Sequence, residues 1–233
     1  MNLFIGVPVL LLLVLLYYTA ITYWTYTISR TLVLRAEVFS RTDEATLPTI
    51  LVLGDSTGVG VGADSSEDTV AAHLMREVHG RYVENYAVSG AVVKDLEMQL
   101  THAKLKEYTY ILIEIGGNDI IRFHSAETES KRLGAFLKTL PVSEKLIVHS
   151  SGNVGGSTFF PWFVRPFHTR LNLEFHETFA RVVQEHGGTY VNMFTEPNID
   201  PFLLQPLTYF AEDGLHPSSK GYELWFEKIK TAL

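Results

Sequence analysis

Thr49-Ile50-Leu51-Val52-Leu53-Gly54-Asp55-Ser56-Thr57-Gly58 is the stretch that decides the architecture. A short apolar, β-branched run reads as a strand, and it stops at once in Gly, Asp, Ser and Gly, residues suited to a tight turn. Outward from it, helical and strand patterns alternate. Glu67–His79 sets Val70, Leu74 and Val78 one turn apart beside Ala71 and Met75, a single apolar helical stripe that Ser65 or Ser66 can cap. Tyr82–Val88 reads as a second strand, and Val92–Lys106 as a helix carrying Leu96, Leu100 and Ala103 on one face. Tyr108–Ile115 is apolar nearly throughout, so it is a strand buried on both sides. A polar helix over about 126–140 and a strand at Lys145–His149 follow. Leu171–His186 is a helix ended by Gly187-Gly188, Thr189–Met193 a fifth strand, and Pro217–Leu233 the last helix.

Strands separated by helices need crossover connections, which predict a three-layer α/β/α domain with a five-stranded parallel sheet, flavodoxin-like in plan. Ligands of such sheets bind beyond the carboxyl ends of the strands. The loops that begin near Gly54, Ser89, Gly116, Ser150 and Asn192 are therefore where a site belongs.

Composition narrows the chemistry. With 233 residues, 46% of them hydrophobic, the chain fills one α/β domain plus a short appendage. A net charge of −7, with no Lys/Arg cluster, argues against nucleic acid as a partner. The absence of cysteine excludes disulfides, Cys-based zinc sites and a thiol nucleophile. The histidines lack metal-ligand spacing, and no cofactor motif appears, so neither a metal nor a cofactor is expected.

The N-terminus departs from a soluble pattern. Leu3–Trp24 contains no charged residue, and Val9–Leu16 is an unbroken aliphatic run. Roughly 20 residues match the bilayer hydrocarbon at helical rise. Tyr17, Tyr18, Tyr23, Trp24 and Tyr26 suit the membrane interface. A cleaved signal peptide is the alternative, but no Lys or Arg precedes the run and no A-x-A pattern follows it. The expected organisation is a single-pass anchor over 1–29, a connector over 30–47 and a domain over 48–233. Arg30, Arg35 and Arg41 follow the span, which by the positive-inside rule favours a cytoplasmic domain.

Three loops carry candidate chemistry. Ser56 follows a buried strand between glycines, a placement that exposes a nucleophilic hydroxyl; the same residues also make an ordinary turn. In Gly116-Gly117-Asn118-Asp119, the Asn amide can donate to a developing oxyanion, or Asn118 or Asp119 can cap a helix. Gly90 follows the second strand, and its N–H can face the same spot. In Asp213-Gly214-Leu215-His216-Pro217, Pro217 suits the first turn of the last helix, and Asp213 stands close enough to fix the His216 tautomer. Glu114, inside an apolar strand, is expected to be paired.

Taken together and in this order, these blocks resemble the SGNH (GDSL-type) hydrolase family over about residues 48–233. Gly54-Asp55-Ser56 is similar to the first block, Gly90 to the second, Gly116-Gly117-Asn118-Asp119 to the third and Asp213–Pro217 to the fifth; Thr57 stands where the family name has leucine. The resemblance implies Ser56 as nucleophile, His216 as general base and Asp213 as its orienter. It also implies an oxyanion hole from Ser56, Gly90 and Asn118, a lipid, acyl-ester or thioester substrate, and an extracytoplasmic domain. Deacetylation of cell-envelope carbohydrate uses the same triad and stays open. So do a metal or phosphoryl role for Asp55 and a non-catalytic, membrane-tethered binding module.

Two apolar loops complete the reading, Phe159–Phe167 and Pro201–Phe210. They are either satellite core or an acyl-chain surface, and Phe160, Trp162 and Phe210 are the candidate substrate contacts.

Overall fold

The β-branched runs assemble as their composition predicts. The structure is a computed structural model that describes residues 3–43, 45 and 47–233, with side chains from residue 8 onward. The first two residues of the expected anchor, and Glu44 and Thr46 of the connector, lie outside the described residues. In chain order the elements are α1 (Leu3–Arg35), β1 (Thr49–Gly54), α2 (Ser56–Val59), α3 (Val70–Glu77), β2 (Tyr82–Asn85), α4 (Leu96–Leu100) and β3 (Glu107–Glu114). Then come α5 (Gly117–Ile121), α6 (Ala126–Leu137), β4 (Val142–His149), α7 (Arg165–Glu185), β5 (Thr189–Val191), α8 (Pro201–Leu204), α9 (Pro206–Tyr209) and α10 (Ser219–Lys230).

All pairings in the sheet are parallel, in the order β2-β1-β3-β4-β5. Alternation along the strands makes two cores. Leu51, Leu53, Ile111, Ile113 and Val148 pack with Leu96, Phe136 and Phe179 of α4, α6 and α7. Ile50, Val52, Leu112, Ile147 and Val191 pack with Leu74 of α3 and with Tyr222, Trp225 and Phe226 of α10. The expected three layers follow from this period of two.

Register aligns the strand ends that matter. Gly54 pairs with Glu114, and Glu114 with His149, so the loops after β1, β3 and β4 leave one level of the sheet. Gly54 closes that edge tightly. At φ +149° a Cβ here would stand 2.1 Å from the Glu114 carbonyl oxygen. Its N–H donates to Gln99 Oε1, and its C=O accepts from Gln99 Nε2, both at 2.8 Å. Gly54→Ala is expected to cost roughly 3 kcal/mol or more in chemical denaturation, because strain and clash coincide.

Several boundaries differ from the sequence expectation. α1 runs through Arg35, past the expected anchor end at 29, because no helix breaker interrupts Thr25–Arg35. The connector is docked: Phe39 is buried, and Arg41 bridges the outer edge of the sheet through paired bonds with Val83. β2 ends at Asn85, whose side chain turns to the Gly58 carbonyl and the Ala87 N–H instead of continuing a ladder. The helix expected over 92–106 contracts to α4 behind a 3₁₀ turn at Val93–Asp95. β4 begins at Val142 and α7 at Arg165, both earlier than their apolar patterns begin. Thr69, rather than Ser65 or Ser66, caps α3; Ser65 caps the 3₁₀ turn before it.

Candidate active site

The turn from β1 into α2 is fastened by Asp55. Its Oδ1 accepts from both the N–H and the hydroxyl of Thr57, each at 2.9 Å, and so caps α2. Ser56 then begins the helix with its side chain turned toward the loop that precedes α10. His216 Nε2 lies 2.9 Å from Ser56 Oγ, and His216 Nδ1 lies 2.6 Å from Asp213 Oδ2. The second carboxylate oxygen, Asp213 Oδ1, accepts the N–H groups of Leu215 and His216, both at 3.0 Å. The short Asp-x-x-His loop is therefore wound around one buried carboxylate. Pro217 stands one place before the N-cap, Ser218, rather than in the first turn of α10.

Electrostatics follow from this wiring. Burial works to raise the Asp213 carboxyl, but the hydrogen bond and charge of His216, together with the Leu215 and His216 N–H bonds, outweigh it and leave it below its ordinary value. Nδ1 facing a carboxylate carries the proton, which leaves Nε2 as an acceptor for the serine hydroxyl. Beneath Ser56, burial pushes Asp55 up from 3.8 to about 6, with the nearby Glu114 adding to the effect. The folded chain holds on Asp55 a proton that the unfolded chain releases at lower pH. Its contribution to stability is thus largest on the acid side and is lost as pH rises through about 6. Unfolding temperatures measured from about pH 5 to about 7.5 are expected to fall more steeply for wild type than for Asp55→Asn.

The Gly-Gly-Asn-Asp loop contributes from β3. Asn118 Nδ2 donates to the Ala91 carbonyl at 3.0 Å, which fixes the amide and leaves its second N–H free to point elsewhere. Asp119 faces inward, where it accepts from the Val93 N–H at 3.1 Å and meets His124 Nδ1 at 2.9 Å; burial raises it to about 6. Among the described residues, no protein acceptor takes the N–H of Ser56 or of Gly90. Glu114 is paired, as a buried carboxylate must be: its Oε2 lies 3.1 Å from His149 Nε2.

A cavity of about 280 Å³ opens beside this group. Ser56, Asn118 and His216 line it, together with Val154, Ile199, Phe202, Phe210 and Trp225. Four of the five loops singled out by the sheet rule supply its wall; the loop at Ser89 and Gly90 borders a separate depression. Of the three aromatic candidates, only Phe210 reaches the cavity. Phe160 instead packs on the α6–α7 core and against His168, ring centroids 4.4 Å apart. Trp162 stands on the surface, 68% exposed, because the turn at Pro161 carries it away from the core. Lys228 also lines the cavity, donating to the Met193 carbonyl at 3.1 Å and to Thr195 Oγ1 at 2.9 Å. No local motif marks it, since its partners lie more than thirty residues away in sequence.

A family model described as GDSL-like Lipase/Acylhydrolase matches residues 52–224. The chain belongs to that family. GDSL-like acylhydrolases are ester hydrolases, in keeping with a hydroxyl, an imidazole and a carboxylate joined in series at a sheet edge. No curated protein sequence gives a match. Among solved structures, a lipolytic protein of the G-D-S-L family from Veillonella parvula superposes with TM-score 0.63 at 18% identity, covering 79% of this chain and 97% of that one. An extracellular lipase from Streptomyces rimosus gives TM-score 0.57 at 18% identity, over 79% of this chain and 99% of the other. An acetylxylan esterase from Geobacillus stearothermophilus gives 0.59 at 18% identity, over 80% and 94%. At such identities the likeness is one of fold.

Helix α1 stands apart from this site. Pro8–Arg35 is long and apolar enough to cross a membrane, with a mean hydropathy of 1.6 in its best window.

Proposed function

We propose that Ser56 attacks the acyl carbonyl of a carboxylic ester, with His216 as general base and Asp213 holding the imidazole in place. The single observation that carries this reading is the 2.9 Å contact between Ser56 Oγ and His216 Nε2, made across 160 residues of sequence. His216 takes the hydroxyl proton as the Oγ–C bond forms. The oxyanion is met by the Ser56 N–H, the free N–H of Asn118 and the Gly90 N–H. His216 returns the proton to the leaving alcohol, and a water, deprotonated by the same nitrogen, then releases the acid and regenerates Ser56.

Removing one oxyanion donor costs about 10²–10³ in turnover. Asn118→Ala is expected in that range with the fold retained; near-native turnover would take Asn118 out of the mechanism.

The apolar cavity supports an acyl ester of more than two carbons, a lipid or thioester included, over a carbohydrate acetyl group. The uninterrupted apolar face of α1 supports membrane anchoring through residues 1–29, with 48–233 as the hydrolase domain. A panel of esters from acetyl to long acyl, given to the full chain in detergent with Ser56→Ala as control, tests the substrate reading. A peak beyond butyryl is the expected result, and a steep preference for acetyl would instead favour deacetylation of carbohydrate.

A further inference from the structure

We infer that the mouth of the cavity docks on the lipid bilayer, so that the substrate is a membrane-embedded acyl ester entering from the acyl-chain phase. This rests on the anchoring and ester-hydrolase readings above.

Helix α1 lies against the domain. Its partly buried residues Tyr18, Thr25, Ile28, Ser29, Leu32 and Val33 fall on one side, with Thr27 the exception among the described residues, so the helix runs along the domain rather than hanging from a free tether. Leu32, Val33 and Ala36 pack on Val59, Val61 and Ala87. About 21 Å further along at helical rise, Tyr18 meets the ring of Phe163 edge-on, centroids 5.7 Å apart. Before Tyr18, the aliphatic run Val9–Leu16 is exposed throughout. The cluster from Tyr17 to Tyr26 marks the headgroup level of an anchored chain. Phe163 therefore sits at the depth where hydrocarbon begins.

Its neighbours are built for that depth. Trp162 and Phe167 are about two-thirds exposed. In the second apolar segment and just before it, Ile199 and Leu204 are each 62% exposed and Leu207 is 98% exposed, while Ile199 also lines the cavity. Ser157, which lines the cavity just ahead of Phe159, ties the first apolar segment to the catalytic loop. Ser157 Oγ and the Thr158 N–H both donate to the Gly214 carbonyl, at 2.6 and 3.2 Å, in the loop that carries His216. Charge agrees: in a chain of net charge −7, residues 159–167 and 201–210 hold no carboxylate, and their one charged residue is Arg165. Exposed aromatic and aliphatic side chains whose adjoining carboxylate, Asp200, is buried bind lipid rather than water when held at headgroup depth.

Two measurements on the full chain in phosphatidylcholine vesicles test this. The first uses lipids brominated in the acyl chain and protein carrying Trp24→Phe and Ser56→Ala, so that only Trp162 and Trp225 emit and no hydrolysis occurs. Adding Trp162→Phe is expected to reduce the quenched emission by about threefold or more, because Trp225 is buried. Quenching that persists unchanged overturns the docking. The second compares wild type with a Trp162→Ser/Phe163→Ser/Leu207→Ser variant on a diacylglycerol in the vesicle and on a water-soluble butyryl ester. The variant is expected to lose about tenfold on the vesicle substrate and less than about twofold on the soluble one. Equal losses on both, or none on either, overturn the docking. If wild type hydrolyses neither substrate while Trp162 quenching is intact, the hydrolase reading falls and the docking stands.

Discussion

Ser56→Ala is expected to lower ester turnover by roughly 10⁴–10⁶-fold, leaving only the residual acceleration of the oxyanion donors and of binding. The size of the effect comes from the series arrangement. The imidazole has no other proton to take, and no second hydroxyl is hydrogen-bonded to His216 among the described residues. Stability is expected to change little, because among the described residues the hydroxyl's one side-chain partner is His216 and the Asp55 cap on Thr57 is untouched. Turnover measured on a short-chain ester, beside a denaturation curve of the same sample, separates the two. Activity within tenfold of wild type would show that another group attacks the ester.

Asp213→Asn is expected to reduce turnover by about 10⁴-fold, the scale set by the orienting carboxylate of serine proteases. The substitution preserves shape and can keep Oδ1 as acceptor for the Leu215 and His216 N–H groups. The amide nitrogen, however, now faces Nδ1 as a donor, so the imidazole moves its proton to Nε2 and loses the lone pair that Ser56 needs. Stability responds as well. The Asp213 carboxyl is lowered in the folded chain, so its stabilisation is present above the unfolded value, near 4, and is lost as pH falls through the folded one. The asparagine variant is expected to be less stable than wild type at neutral pH and to approach it under acid conditions. Turnover with pH-resolved unfolding curves checks both parts.

The sheet and the meeting of the three loops were legible because each depends on local signals. β1 is a β-branched run ended by turn residues, and Asp213 reaches His216 within a single loop. Parallel crossovers then bring the strand ends to one edge whatever the details between them. What stayed hidden depends on distant partners. Nothing near Gln99 announces that it clamps Gly54, 45 residues earlier, and nothing near Lys228 announces a cavity. The aromatic loop showed its apolar character but not its direction, since an irregular segment has no period to assign Phe160 inward and Trp162 outward. Likewise, Arg30 and Arg35 made the end of α1 read as a connector, although they occupy the solvent side of a helix that continues past them.

Covalent capture of the nucleophile is the most direct test. Full-length protein treated with a fluorophosphonate and digested should carry a single adduct, on the peptide that contains Ser56. The adduct should vanish in Ser56→Ala and form far more slowly in His216→Ala. An adduct on another residue, or ester hydrolysis that persists in Ser56→Ala without labelling, would contradict a mechanism in which this imidazole activates this hydroxyl.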